Sequence, residues 1–200
     1  MSDQILWFAT RGAGVVSLLL FTAVTCLGLL TVARWQSESW PRFLTAELHR
    51  SLALLSLVFL GAHIATAILD PFTSLGIVAA TIPFASSYRP LWVGLGVISM
   101  DLIVALIVTS LLRERIGQRA WRTVHWASYV AWPLAVAHGL GAGSDAFAPW
   151  FVAIQIACVA AVGVSLLWRL SVGWSNRGRL RGVVAAGSAR VATPFANRDT

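Results

Sequence analysis

The chain has no lysine, and all 15 of its basic residues are arginine. Charge of any kind is scarce, at 12% of 200 residues, with only eight acids. Two cysteines, Cys26 and Cys158, lie far apart without CxxC spacing. That excludes a disulfide scaffold, a dithiol redox centre and a cysteine zinc site, and leaves both as small apolar core residues. Short alternating segments of the kind that build membrane barrels are missing. The fragment "GVVAAG" near the end follows no strand and precedes no GK[ST], so it is not a phosphate-binding loop. No A-x-A cleavage site follows the first apolar run, Asp3 precedes Arg11, and Ala23 spoils a lipobox at Cys26, so that run is expected to be retained.

Apolar residues fill the space that charge leaves: 58% of the chain is hydrophobic and mean hydropathy is +0.76, far from an ordinary soluble domain. A helix needs about 20 mainly apolar residues to cross roughly 30 Å of hydrocarbon. Five stretches qualify, at 12–33, 43–69, 91–112, 120–140 and 149–170. The expected fold is therefore all-α, an integral membrane bundle of five transmembrane helices, because only helices and closed barrels satisfy their backbone polar groups in lipid. Residues 1–170 form one domain and 171–200, rich in Arg, Gly and Ala, a mobile tail. Between spans two and three, "PFTSLGIVAATIPFASSYRP" is too short in apolar residues to cross, and is expected to lie at the interface.

The arginines give the orientation. Arg34 and Arg42 follow span one, Arg113, Arg115, Arg119 and Arg122 surround the joint between spans three and four, and six more run from Arg169 to the end, while only Arg11 and Arg89 fall on the opposite side. Short arginine-rich loops stay in the cytoplasm, which predicts an outer N-terminus and a cytoplasmic C-terminus in a multi-pass protein of a bacterial cytoplasmic (inner) membrane. The net charge of +7 then reads as topology and contact with the lipid bilayer, not with nucleic acid. Trp7, Trp35, Trp40, Trp92, Trp121 and Trp150 fall near span ends as an interfacial belt, and Glu47 is placed to pair with Arg50 at i, i+3.

All four histidines lie inside expected spans, His49 and His63 on the second, His125 and His138 on the fourth. These spans run in the same direction, and separations of 14 and 13 residues become roughly 21 and 19.5 Å of helix. His49 with His125 and His63 with His138 therefore meet at two depths. Two imidazoles facing each other at one depth can grip a flat iron porphyrin, and neutral imidazole is the binding form. The leftover ring nitrogen needs a partner, for which the carbonyl one turn earlier is the nearest candidate. Gly61, Ala62, Ala127 and Gly139 are small enough to leave room for a macrocycle. A zinc or copper site is the weaker metal alternative, since histidines on one helix are too far apart to share one ion and no carboxylate or thiolate cluster completes four ligands. One spacing is awkward: at about 100° per residue, 13 residues miss the starting face by about 140°, so a kink at Pro133 or a local change of winding is required between His125 and His138.

Three stretches, "RGAGVVSLLLFTAVTCLGLL", "LHRSLALLSLVFLGAH" and "WRTVHWASYVAWPLAVAHGL", resemble the ferric reductase-like transmembrane domain, over roughly residues 7–170. That superfamily includes NADPH oxidases, ferric reductases and the haem subunit of a bacterial methionine sulfoxide reductase system. The resemblance implies that His49, His63, His125 and His138 are axial ligands of two stacked b haems. Arg50 and Arg122 flank the inner pair and either bind a haem propionate or snorkel to the headgroups. Many relatives of this type carry a cytoplasmic flavin and NADPH domain, so flavin is expected from a partner and the chain to act as an electron-transfer subunit of an oxidoreductase.

The expected function is a di-haem b-type cytochrome carrying electrons from a cytoplasmic flavin reductase to an extracytoplasmic acceptor protein or metal. A quinol-linked cytochrome b subunit of an extracytoplasmic reductase is a second reading, and a haem-free scaffold or transporter a third. Asp101, alone in the middle of span three, tunes a haem, relays a proton or bonds a neighbouring helix.

Overall fold

The computed structural model describes residues 2–32, 41–71, 73 and 75–192, and beyond Val172 the backbone only. Arg34, Trp35, Trp40 and residues 193–200, all of which figure in the expected topology, belt or tail, lie outside the described residues. Among the described residues every regular element is helical: α1 (Ser2–Val32), α2 (Arg42–Leu69), α3 (Gly76–Thr81), α4 (Pro90–Leu111), α5 (Arg113–His125), α6 (Ser128–Ala142) and α7 (Pro149–Ala192). Prolines start three of them. Pro41 stands extended ahead of α2, Pro90 occupies the first turn of α4 and Pro149 opens α7, positions where a missing N–H costs nothing. Pro71 ends α2 by forcing Asp70 into extended backbone.

Among the described residues four helices are long and apolar enough to cross a membrane, over Gln4–Thr31, Phe43–Leu69, Pro90–Leu111 and Pro149–Val172. The multi-pass architecture expected from composition is thus present. The expected fourth span, 120–140, differs in form: it is split between α5 and α6 at Trp126 and Ala127. There the backbone bonds run to the third residue back, Ala127 N–H to Val124 O (2.9 Å), Tyr129 N–H to Trp126 O (3.1 Å) and Val130 N–H to Ala127 O (3.0 Å). This is tighter than α-helix, and it interrupts the cylinder. Ahead of it, Gly117 turns the chain with φ +81°, a conformation that favours glycine. The segment between α2 and α4 holds a single short helix, α3.

Packing divides the bundle into two halves. α1 lies along α2, α4 lies along α6, and α1 also reaches α6 and α7; α2 and α6, the helices with most of the histidines, are not closely packed on each other. The core sits where α1, α6 and α7 meet, with Leu18, Trp132, Val136 and Cys158 buried against Phe21, Ile154 and Val162. Cys158 is the core residue expected, and Cys26 is half-buried and free. Two polar contacts cross buried seams: the Trp132 indole donates to Thr22 Oγ1 (3.0 Å), and the Ser99 hydroxyl donates to Ala131 O (2.8 Å). In a medium where the competing partner is hydrocarbon, such bonds pin one helix to the next.

One end of the bundle is tied by arginines. Arg11 of α1 pairs with Asp145 and donates to Ser144 Oγ (2.9 Å) in the α6–α7 loop. Arg89 donates to Gly141 O (2.5 Å) and Gly143 O (3.0 Å), and the Tyr88 hydroxyl to Ala142 O (3.1 Å), satisfying carbonyls at the open end of α6.

Replacing Thr22 by valine removes the acceptor and leaves the Trp132 N–H buried without a partner. The expected cost is about 1–2 kcal/mol. It is checked as a fall in the thermal midpoint of the detergent-purified protein that Thr22→Ser largely avoids.

Candidate functional site

The four histidines assemble in the seam that α2 and α6 leave open. The ring centroids of His49 and His125 are 6.3 Å apart and those of His63 and His138 are 6.1 Å apart. These are the two pairs anticipated from depth. Both distances exceed direct ring contact, and a metal bonded to two opposed imidazoles at about 2 Å each separates their centroids by roughly 6 Å.

Each ring's orientation comes from a neighbouring helix. His49 Nδ1 donates to Val24 O (3.0 Å) and His63 Nδ1 to Thr10 O (2.8 Å), both on α1, while His138 Nδ1 donates to Trp92 O (2.9 Å) on α4. A carbonyl only accepts, so the proton is on Nδ1 and the lone pair on Nε2. These partners replace the carbonyls one turn earlier on the same helix that the sequence suggested. His125 is different: its Nδ1 is buried with no hydrogen-bond partner, and its ring stacks on Trp121 at 4.9 Å.

The change of winding demanded by the 13-residue spacing is found at the α5–α6 joint. Its three-residue bonds lie between His125 and Pro133 and let both rings on this strand of the bundle face α2. Pro133 itself sits within α6.

Glycines form the backs of the histidine sites. A Cβ at Gly14 would lie 2.9 Å from His63 Nδ1, one at Gly96 2.5 Å from His138 Nδ1, and one at Gly28 3.4 Å from His49 Cε1. These were missed in the sequence, although the signal was present: Gly14 and Gly28 are 14 residues apart, the spacing of His63 and His49 on the helix beside them. The small residues first expected to make room do less. Gly61 has nothing within 4 Å and, like Ala62, is exposed, whereas Gly139 opens space for Gln155 and Phe151 of α7.

A cavity of about 250 Å³ surrounds the His63–His138 pair, with Gly14, Phe21 and Met100 in its walls and Arg11, Tyr88 and Asp145 around one end. The other expected binding residues are further out. Arg50 is exposed and bonded to Glu47 Oε1 (2.8 Å), as its spacing suggested, and Arg122 is also exposed. Asp101 does not line the cavity, although its neighbours Met100 and Ile103 do.

Opposed rings at about the separation one metal requires, free Nε2 positions on three of them, glycine-backed walls and an open seam are what a pair of bis-histidine porphyrin sites needs. The residues present fit that group. No group of three or more His, Cys, Asp or Glu suited to a bare metal ion occurs among the described residues.

Alanine at Gly96 or Gly14 drives a methyl into an imidazole and is expected to lower the thermal midpoint by several degrees, with Gly28→Ala milder and Gly61→Ala neutral. Differential scanning fluorimetry on the four variants reads this order.

Neither a curated protein nor a solved structure matches the chain. A family model does, that of the ferric reductase like transmembrane component, over residues 13–136. The match takes in His49, His63 and His125, stops two residues short of His138, and covers more than half of the sequence. The chain therefore belongs to the ferric reductase like transmembrane component family.

Proposed function

We propose that this protein is a di-haem b-type membrane cytochrome that carries electrons across the bilayer between a cytoplasmic donor and an extracytoplasmic acceptor. The observation that carries the reading is the pair of ring separations, 6.3 and 6.1 Å, between imidazoles on helices that otherwise do not pack together. His49 with His125 and His63 with His138 would supply the axial ligands. Bound there, the two haems would supply one-electron oxidation and reduction at two depths.

The chain's own residues do the holding. Val24, Thr10 and Trp92 carbonyls fix three rings by their Nδ1 protons, so that little rotation is left when Nε2 meets iron. Gly14, Gly28 and Gly96 let those rings come close to α1 and α4. Two histidines to each haem would leave the group to relay single electrons, with bond-making chemistry left to partners. Arg50 beside His49 and Arg122 one turn before His125 would offer cationic contacts to haem carboxylates at that end.

Arginine distribution supports the orientation, with the His49–His125 end toward the cytoplasm and the α5–α6 pair completing a fifth crossing. A flavin reductase, bringing its own flavin, is the donor proposed. A quinol donor to the same haems is the second reading, and reduction by quinol analogues with no response to flavin reductases would select it.

His63→Ala is expected to lower the haem content from two to one per chain in a pyridine haemochrome assay; retention of both would refute the ligand assignment. Because the His125 Nδ1 has no hydrogen-bonded anchor among the described residues, the His49–His125 site should lose its haem first on extended dialysis in detergent. Redox titration of the partly depleted protein checks this: one component should disappear, and it should be the one that survives in His63→Ala.

A further inference from the structure

Asp101 sits in the central turns of α4, twelfth of its 22 residues, and its side chain is exposed on the surface of the bundle. It makes no hydrogen bond or ion pair among the described residues. It is not part of the cavity around the His63–His138 pair, although Met100 and Ile103 of the same helix are. A carboxyl group exposed at mid-span is costly in hydrocarbon, and ionisable groups there ordinarily face a partner or a polar cavity. The carboxyl group therefore takes no part in the cavity at the His63–His138 pair, and an exposed position on α4 leaves contact with another helix as its use.

The surroundings have the form of a helix-docking strip. Val104, Ala105 and Val108 are exposed with Asp101 at i+3, i+4 and i+7, a single face of α4 whose side chains are short. Gly94, seven residues before Asp101 on the same face, is buried under Phe84 from the α3–α4 connection. The face is thus covered by this chain as far as Gly94 and uncovered from Asp101 onward. Ala105, one turn from Asp101, is the position on this strip where a second backbone can approach closely in lipid.

We infer that this strip docks a transmembrane helix of another protein carrying a basic or amide side chain at mid-bilayer depth, which meets Asp101. Charge decides against a second copy. No arginine of the described chain lies in the central turns of a spanning helix, and the four histidines face one another across the seam. A two-fold dimer through α4 would bring two carboxyl groups together at equal depth with no cation to meet either. A partner cation or amide donor satisfies the group and fixes register.

The test uses the full chain, labelled with a donor dye at its N-terminus, in phosphatidylcholine–phosphatidylglycerol vesicles. Two acceptor-labelled synthetic helices of about 20 Leu and Ala residues are added, one with a central lysine and one without. The lysine helix should bind about five- to tenfold more tightly, and Asp101→Leu should abolish that preference. Ala105→Leu, which leaves the carboxyl group in place and blocks close approach, should weaken the lysine helix as well, so the inference stays testable if Asp101→Leu does not fold by circular dichroism. Equal binding of the two helices overturns it. So does energy transfer between two labelled copies of the chain that Asp101→Leu removes, which would make the second copy the occupant. Peptide binding requires no haem, so either outcome is separable from the redox reading.

Discussion

Three backbone carbonyls hold the arrangement on which everything else rests. An imidazole has two nitrogens, and a ring that must present one lone pair across a gap needs the other nitrogen held. Here Val24, Thr10 and Trp92 supply the acceptors, from α1 and α4 and not from the helices that carry the histidines. Carbonyls of the same helix serve short hydroxyls here, as Leu18 O does for Thr22 Oγ1 (2.8 Å), whereas these three imidazoles reach out to a neighbouring helix. Bonding across a close interface uses the second lone pair of a carbonyl on a neighbour, and only glycine lets that neighbour come near enough. Gly14 on α1 and Gly96 on α4 are therefore part of the same device as His63 and His138.

That device explains the division of the bundle. α1 is clamped to α2 and α4 to α6, and each pair carries two of the four histidines, with His125 just ahead of α6. The seam between the pairs is left open for most of its length, and the core of Leu18, Trp132, Val136 and Cys158 closes it on one side where α7 leans in. Arg11, Arg89 and Tyr88 tie the α6–α7 loop across one end. The proposed haems would then replace side-chain packing in that seam, and the protein's interior would be completed by its cofactors.

The fourth crossing shows where tertiary geometry overrode a regular element. Thirteen residues of ideal helix cannot put two side chains on one face, and the chain meets the requirement by tightening its winding after His125 and starting α6 afresh at Ser128. His125 has no hydrogen-bonded carbonyl behind it, and it leans on Trp121. Asp101 shows the opposite case, a polar group for which the chain has no internal answer, so that its explanation has to come from outside the bundle.

Composition and arginine placement determined, without coordinates, that this is a helical membrane protein, and the limits of α2, α4 and the apolar part of α7 follow from hydropathy because lipid imposes a minimum length on every crossing. The pairing of His49 with His125 and His63 with His138 was also legible, since a fixed rise of 1.5 Å per residue turns spacing into depth. What no spacing rule could give is which neighbour each ring leans on, why Gly14 and Gly96 count while Gly61 does not, and which way Asp101 faces. Those depend on the rotation of each helix about its own axis and on which helices lie side by side, and long-range packing alone decides both.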